Sequence, residues 1–159
     1  MHRSIDAFTD SNVFFRRSKS RLGERGYLKG VIIDVAYDYL LLKNWDTYSN
    51  LDNDSFMDRF YRNATAEISR YPHDARHFTQ RIISSKILTS YSTVDGLKTA
   101  FERIDTRLSK RILDKENTST YFPKLKQEID VIEEDFLLFF PQLIAHFKRE
   151  SEVQLESHW

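Results

Sequence analysis

The most apolar stretch of the chain, residues 30–45, carries two aspartates four residues apart, and this combination constrains the fold most. In a helix, residues i and i+4 lie on the same face, so Asp34 and Asp38 would sit one above the other. Leucine, isoleucine and valine occupy most of the remaining surface, which predicts a central helix that is covered on most sides. An unpaired carboxylate there is costly, so it must meet a cation, a metal ion or hydrogen-bond donors from another segment.

The rest of the chain consists of apolar-periodic segments separated by short polar breaks. These segments predict helices over 2–9, 13–22, 28–45, 55–70, 75–90 and 94–113, and a long last helix from Phe122 or Pro123. Pro141 should kink this last helix or mark a boundary in it. No alternating strand pattern of useful length is present, and 159 residues suffice for one core. We therefore predict an all-α, single-domain bundle of about seven helices over residues 1–159, frayed over about the last 12.

The charge distribution suggests a partner that the net charge of zero does not. Residues 16–29 hold six basic residues against one acidic residue, and residues 126–135 hold five acidic residues against one basic residue. The basic segment is either a solvated helix face or a docking surface for an acidic partner, formed by Arg16, Arg17, Lys19 and Arg21. Without an aromatic-basic platform or a net positive charge, nucleic acid is not an expected partner.

The composition also bears on the compartment. The chain has no cysteine, which excludes disulfides and cysteine-bound zinc and fits a cytoplasmic protein. No apolar stretch approaches the roughly 20 residues of a membrane span, and the first residues, MHRSID, contain no signal-peptide core. We expect a cytoplasmic protein without a membrane span.

His2, Asp6 and Asp10 are also spaced by four, so one continuous helix would place them on one face. Together with Asp34 and Asp38 they offer one imidazole and four carboxylates. A hard divalent ion such as Mn²⁺ or Mg²⁺ prefers oxygen ligands with an occasional imidazole. Such an ion lowers the pKa of a bound water and stabilises charge on a phosphoryl oxygen. One interpretation is therefore a metal-dependent phosphohydrolase site.

Each of these carboxylates also has a purely structural explanation. Asp10 is well placed to cap a helix, Asp6 can pair with an arginine such as Arg3, and Asp38 can be partly exposed near the end of its helix. Asp34 is the hardest to explain in this way, because its helical turn is apolar. Even so, a buried Asp–Arg pair explains Asp34 about as well as a metal ion does.

Two stretches resemble the signatures of a known family. Residues 2–10 read HRSIDAFTD, and residues 30–45 read GVIIDVAYDYLLLKNW. They look like the "HRxIDxFTD" and "GVxxDVxxDHFLxxxW" motifs of the acyl carrier protein phosphodiesterase family, also called acyl carrier protein hydrolases. Weaker support comes from LTSY at residues 88–91, from Gly96-Leu97 and from the aromatic C-terminal helix. The resemblance covers essentially the whole chain, in order.

The resemblance implies an α-helical fold distantly related to the HD phosphohydrolases. It also implies hydrolysis of holo-acyl carrier protein, a small acidic protein of fatty acid and lipid metabolism, at the phosphodiester joining 4′-phosphopantetheine to a serine. Mn²⁺ or a similar ion would assist. Asp34 and Asp38 would be catalytic, and the metal ligands would be Asp34, Asp38, Asp6, His2 and Asp10. Arg3 is the nearest candidate for a phosphate contact.

The chain departs from the family pattern in ways that keep alternatives open. Family members usually carry a further N-terminal segment, whose absence would uncover an apolar groove on the central helix and leave room for an oligomer. Tyr39 stands where the family's DHF motif has histidine, and Asn12 stands where a histidine often follows FTD. The alternatives are a catalytically impaired member that acts as a binding module for an acidic partner, or a purely structural helical domain.

Overall fold

Eight α-helices account for most of the residues that the computed structural model describes, namely 2–67 and 91–156. They are α1 (His2–Ser11), α2 (Val13–Arg21), α3 (Lys29–Lys43), α4 (Trp45–Tyr48), α5 (Asn53–Glu67), α6 (Val94–Asp105), α7 (Lys110–Leu113) and α8 (Phe122–Glu156). A 3₁₀ turn, Ser119–Tyr121, precedes α8. These ranges contain no strand, so the all-α prediction is confirmed. The helix predicted over 75–90 lies outside the described residues.

The central helix α3 is held in place by the apolar side chains that cover most of its surface. Its buried residues are Ile32, Ile33, Val35, Ala36, Tyr37, Tyr39 and Leu40. Helices α2, α6 and α8 pack against it. Burying one isoleucine or leucine side chain is worth about 1.5–3 kcal/mol, so α3 contributes much of the core. Asp34 and Asp38 lie on its exposed face, outside this core.

The long helix α8 packs against α1, α2, α3 and α6. Its buried face includes Leu125, Ile132, Phe136 and Phe139 at helical spacing. Pro141, expected to kink α8 or mark a boundary, lies inside a continuous helix. Proline has no backbone N–H, so one carbonyl in the preceding turn has no helical hydrogen-bond donor. Pro141 is exposed, so water can bind this carbonyl instead. None of the helices in the described ranges combines the length and the hydropathy needed to cross a membrane.

The single helix predicted over 94–113 is wrong in its second half. Helix α6 ends at Asp105, and a turn separates it from α7. The Asp105 carboxylate accepts hydrogen bonds from the backbone amides of Thr118 at 2.7 Å and Ser119 at 3.0 Å. The hydroxyls of the same two residues also donate to it. These bonds bring a later segment back against the end of α6, which favours a turn over a longer helix.

A second carboxylate fixes the chain just before α3. Glu116 accepts hydrogen bonds from the backbone amides of Tyr27 at 2.8 Å and Leu28 at 3.3 Å, and from the hydroxyl of Tyr121. Gly26 lies beside this cluster at a φ of +133°, and a Cβ there would clash with the Tyr121 hydroxyl. Gly23, at a φ of +118°, has open space around it.

A candidate active site in a carboxylate-lined groove

Helices α1, α3 and α8 border an open groove of about 550 Å³. Four aspartates that the sequence singled out line it: Asp6, Asp10, Asp34 and Asp38. Helix α1 contributes one pair at i, i+4 and α3 contributes the other, so each pair shares one helix face. Two segments that are distant in sequence therefore supply four carboxylates to one concave surface.

The rest of the groove lining is largely apolar and aromatic. Its other members are Ile5, Thr9, Phe15, Tyr37, Leu41, Phe136, Phe139, Phe140 and Leu143. The Tyr37 ring lies 5.2 Å from the ring centroids of both Phe136 and Phe139. These α8 residues were not among the site residues predicted from the sequence. The available signal was the density of apolar and aromatic residues in the FLLFF run of α8.

The groove raises the pKa of Asp34 and of Asp38 to about 6. Desolvation is the larger cause for both. The negative charges of Asp10 and Asp6 add to it for Asp34, and the charge of Asp34 adds to it for Asp38. The positive charge of Lys19 acts on Asp34 in the opposite direction. Both carboxylates remain accessible to solvent through the groove. A carboxyl group with a pKa near neutrality can both accept and donate a proton at pH 7.

The donor chemistry of the groove suits Mn²⁺ or Mg²⁺, which prefer carboxylate oxygens. Within the described residues, however, no three His, Asp or Glu side chains lie close enough together to hold one metal ion. Helix α1 is continuous from His2 past Asp10, as the predicted shared face requires. The side chains of His2 and Arg3 are not among those described. The donors thus fit the ion in kind, but the described carboxylates do not converge on one point.

Two of the four predicted docking cations make ion pairs inside the protein. Arg17 Nε donates to Asp135 Oδ1 at 2.5 Å, and Arg21 Nε donates to Asp135 Oδ2 at 2.8 Å. Asp135 is fully buried and also accepts a hydrogen bond from Ser18 at 3.1 Å. Burial acts to raise the pKa of Asp135, but the hydrogen bonds from Arg21, Arg17 and Ser18 hold it below its ordinary value. The basic and acidic segments of the sequence therefore meet each other here.

The other two predicted docking cations have different surroundings. Arg16 is exposed on α2. The Lys19 ammonium lies 5.0 Å from the ring centroid of Phe15, one of the aromatic residues that line the groove. Docking by these residues and an oligomer formed through the groove both stay predictions.

The two positions that depart from the family motifs have structural roles. Asn12 caps α2 by accepting a hydrogen bond from the Phe14 amide at 2.9 Å, and its amide group donates to Gln142 at 3.0 Å. Tyr39 is buried in the core. Neither residue lines the groove.

The fold and the groove define a class of all-helical protein with an open site built from aspartates and aromatic side chains. Residues 1–143 match the family model described as acyl carrier protein phosphodiesterase. The chain belongs to this family, as its two motifs indicated, and the family suggests acyl carrier protein phosphodiesterase activity. No curated protein and no solved structure matches the chain.

Proposed function

We propose that this protein is a metal-dependent phosphodiesterase that hydrolyses holo-acyl carrier protein to the apo-protein and 4′-phosphopantetheine. One observation carries the proposal: four aspartates from the two family motifs line a single groove. In the reaction, a water oxygen attacks phosphorus and the bond between phosphorus and the serine oxygen breaks. The serine oxygen takes up a proton, and the phosphoryl group leaves on the pantetheine arm.

Asp34 and Asp38 are the residues best suited to move these protons. Because the pKa of each is about 6, an ionised carboxylate can take a proton from water near pH 7, and a protonated partner can supply one to the serine oxygen. The apolar wall of Phe136, Phe139 and Leu143 offers a surface for the pantetheine arm. The groove therefore combines carboxyl groups suited to proton transfer with an apolar surface suited to a long, weakly polar arm.

The proposal includes a divalent ion, Mn²⁺ or Mg²⁺, held by Asp34 and Asp38 with Asp6, and with His2 and Asp10 as further ligands. When bound, it supplies a water of lowered pKa and stabilises negative charge on the phosphoryl oxygens. Support comes from the oxygen donors of the groove and from the repulsion among its carboxylates, which a cation relieves.

The protein substrate is acidic, and electrostatic attraction speeds the encounter of oppositely charged surfaces. We assign the docking surface to the basic side of α2, led by the exposed Arg16. Arg3, on the neighbouring helix α1, remains the candidate for a phosphate contact. We further propose that the reaction takes place in the cytoplasm, in keeping with a chain that has no cysteine.

The experiment is to incubate the chain with holo-acyl carrier protein and Mn²⁺ and to follow the mass of the carrier protein. We expect loss of one phosphopantetheine, abolished by a chelator and by Asp34→Asn. The matched control is Asp58→Asn, which removes an exposed carboxylate of α5 outside the groove and should leave the rate unchanged. An unchanged carrier mass with the wild-type chain would refute the catalytic proposal.

A second candidate function is a binding module for an acidic partner. It is favoured by the absence of three converging metal ligands among the described residues and by Tyr39 and Asn12 at the family's histidine positions. Such a module would bind acyl carrier protein without metal, with an affinity that falls as salt rises, and would leave its mass unchanged. The same assay, run beside a binding measurement at two salt concentrations, separates the two functions.

A further inference from the structure

The groove presents an electrostatic problem for its proposed substrate. Asp6, Asp10, Asp34 and Asp38 line it, and a phosphodiester is itself an anion. Like charges within a few ångströms repel, and they do so more strongly where water is partly excluded. A side chain with positive charge near the groove would offset this repulsion. The charge of any bound metal ion would be partly neutralised by the carboxylates that hold it.

Four cations of α2 are candidates, and the structure separates them. Arg17 and Arg21 are both engaged with the buried Asp135. Arg16 is exposed to solvent. Lys19 alone of these four has its charged end over a residue of the groove wall, with Nζ 5.0 Å from the ring centroid of Phe15.

The ring beneath the Lys19 charge belongs to the wall of the groove. Phe15 is buried and packs edge-on against Tyr37, with ring centroids 5.6 Å apart, and both rings line the groove. The Lys19 ammonium therefore lies over a buried ring of the groove wall.

We propose that Lys19 is a catalytic residue whose ammonium group contacts the non-bridging phosphoryl oxygens of the substrate. This inference rests on the proposed hydrolase function and assigns Lys19 a role distinct from docking. A cation fixed beside the reacting phosphorus stabilises the negative charge that builds up on these oxygens in the transition state. A docking cation would instead act on the encounter with the carrier protein and leave the chemical step untouched.

The kinetic test compares Lys19→Met with Arg16→Met, which removes an exposed charge three residues earlier on the same helix. Lys19→Met should lower kcat and kcat/KM for holo-acyl carrier protein together, by about 10²–10³-fold. Lys19→Arg should restore part of kcat. Arg16→Met, at the proposed docking surface, should raise KM by an amount that depends on salt. The control Lys98→Met removes an exposed charge of α6 outside the groove and should change neither kcat nor KM. Equal effects of Lys19→Met and Arg16→Met, confined to KM, would reduce Lys19 to a docking residue and overturn the inference.

A binding test without turnover uses two soluble ligands that differ only in the phosphate. The chain is titrated with 4′-phosphopantetheine and with pantetheine, and amide chemical shifts are followed by NMR. Lys19→Met should weaken the phosphorylated ligand about tenfold, which corresponds to one charge-assisted hydrogen bond. Lys19→Met should leave the binding of pantetheine unchanged, and Lys98→Met should affect the binding of neither ligand. Thermal unfolding of each variant confirms that the fold is intact.

The two tests separate failure of this inference from failure of the hydrolase proposal. A wild-type chain that is inactive but binds 4′-phosphopantetheine through Lys19 would refute hydrolysis and support the phosphate contact. An active chain in which Lys19→Met changes neither kcat nor the preference for the phosphorylated ligand would refute the contact and leave hydrolysis standing. If the wild-type chain binds neither ligand, the Lys19 assignment is wrong.

Discussion

The ion pairs of Asp135 allow a quantitative prediction for Asp135→Asn. The carboxylate is fully buried, and the side chains that bind it, Arg17 and Arg21, keep 45% and 26% of their surface exposed. Breaking a buried pair usually costs about 3–5 kcal/mol, because the remaining charge is left without a partner. Here both guanidinium groups can turn toward water, so we expect the lower end, about 3 kcal/mol. That corresponds to a fall in Tm of about 6–12 °C for a chain of this size.

The assay is urea unfolding followed by circular dichroism, with Glu134→Gln as the control because Glu134 is the exposed neighbour of Asp135. The control should change the free energy of unfolding by no more than about 0.5 kcal/mol. The pKa of Asp135 is lowered in the folded protein, so its stabilisation is present above the ordinary value of 3.8 and is lost as the pH falls below it. The gap between variant and wild type should close in strong acid. A loss under 1 kcal/mol at pH 7, or a gap independent of pH, would refute this account.

Three further predictions concern the groove and the loops. Asp38→Asn should abolish hydrolysis yet stabilise the metal-free protein by about 0.5–1 kcal/mol above pH 6, a small effect because water screens this exposed group. This gain should disappear as the pH falls below the ordinary value of 3.8, where the carboxyl group is protonated in both states, and calorimetry with a chelator measures it. Asp105→Asn should cost about 1.5–3 kcal/mol at pH 7 in urea unfolding, since four donors lose a charged acceptor. Its deficit should shrink below pH 3.8, because the pKa of Asp105 is lowered in the folded state. Gly26→Ala should lower Tm more than Gly23→Ala, because both positions have positive φ but only the first Cβ meets the Tyr121 hydroxyl.

Clear failures can be stated for each. A metal-free Asp38→Asn protein that is less stable than wild type at pH 7 would contradict the conclusion that desolvation and the charge of Asp34 disfavour the ionised Asp38. An Asp105→Asn deficit that persists in acid would point to lost packing rather than a lost charged acceptor. Equal melting temperatures for the two glycine variants would show that the Tyr121 hydroxyl moves aside at no cost.

The sequence predicted correctly those helices whose ends depend on neighbouring residues. The break at Asn12 and the apolar run of α3 set α1, α2 and α3 within a few residues of their observed ends, because caps and apolar spacing act over one or two turns. The turn after Asp105 was missed, because its cause is a set of donors at Thr118 and Ser119. No periodicity signals a hydrogen bond to a segment that far downstream.

The site shows the same division between local and distant causes. The spacing of Asp34 and Asp38 predicted correctly that the two would share a face, but not that this face would be open to solvent. That depends on how α1 and α8 pack around α3. Likewise, the arginines of α2 looked alike in sequence. Arg17 and Arg21 differ from Arg16 because they bind the buried Asp135, which lies over a hundred residues away in the sequence.

The attachment of α1 to α8 has a consequence for how the protein is made. Helix α1 carries two of the four groove carboxylates, and its contacts with the far half of α8 include Ser4 to His146 at 2.9 Å and the stacking of Phe8 on His146 at 4.6 Å. At a synthesis rate of about 5–20 residues per second, α1 would wait roughly 7–30 s on the ribosome before His146 is made. During that interval its apolar side is open to chaperones. The groove is therefore among the last parts of the molecule to assemble, and a nascent chain carries no complete site.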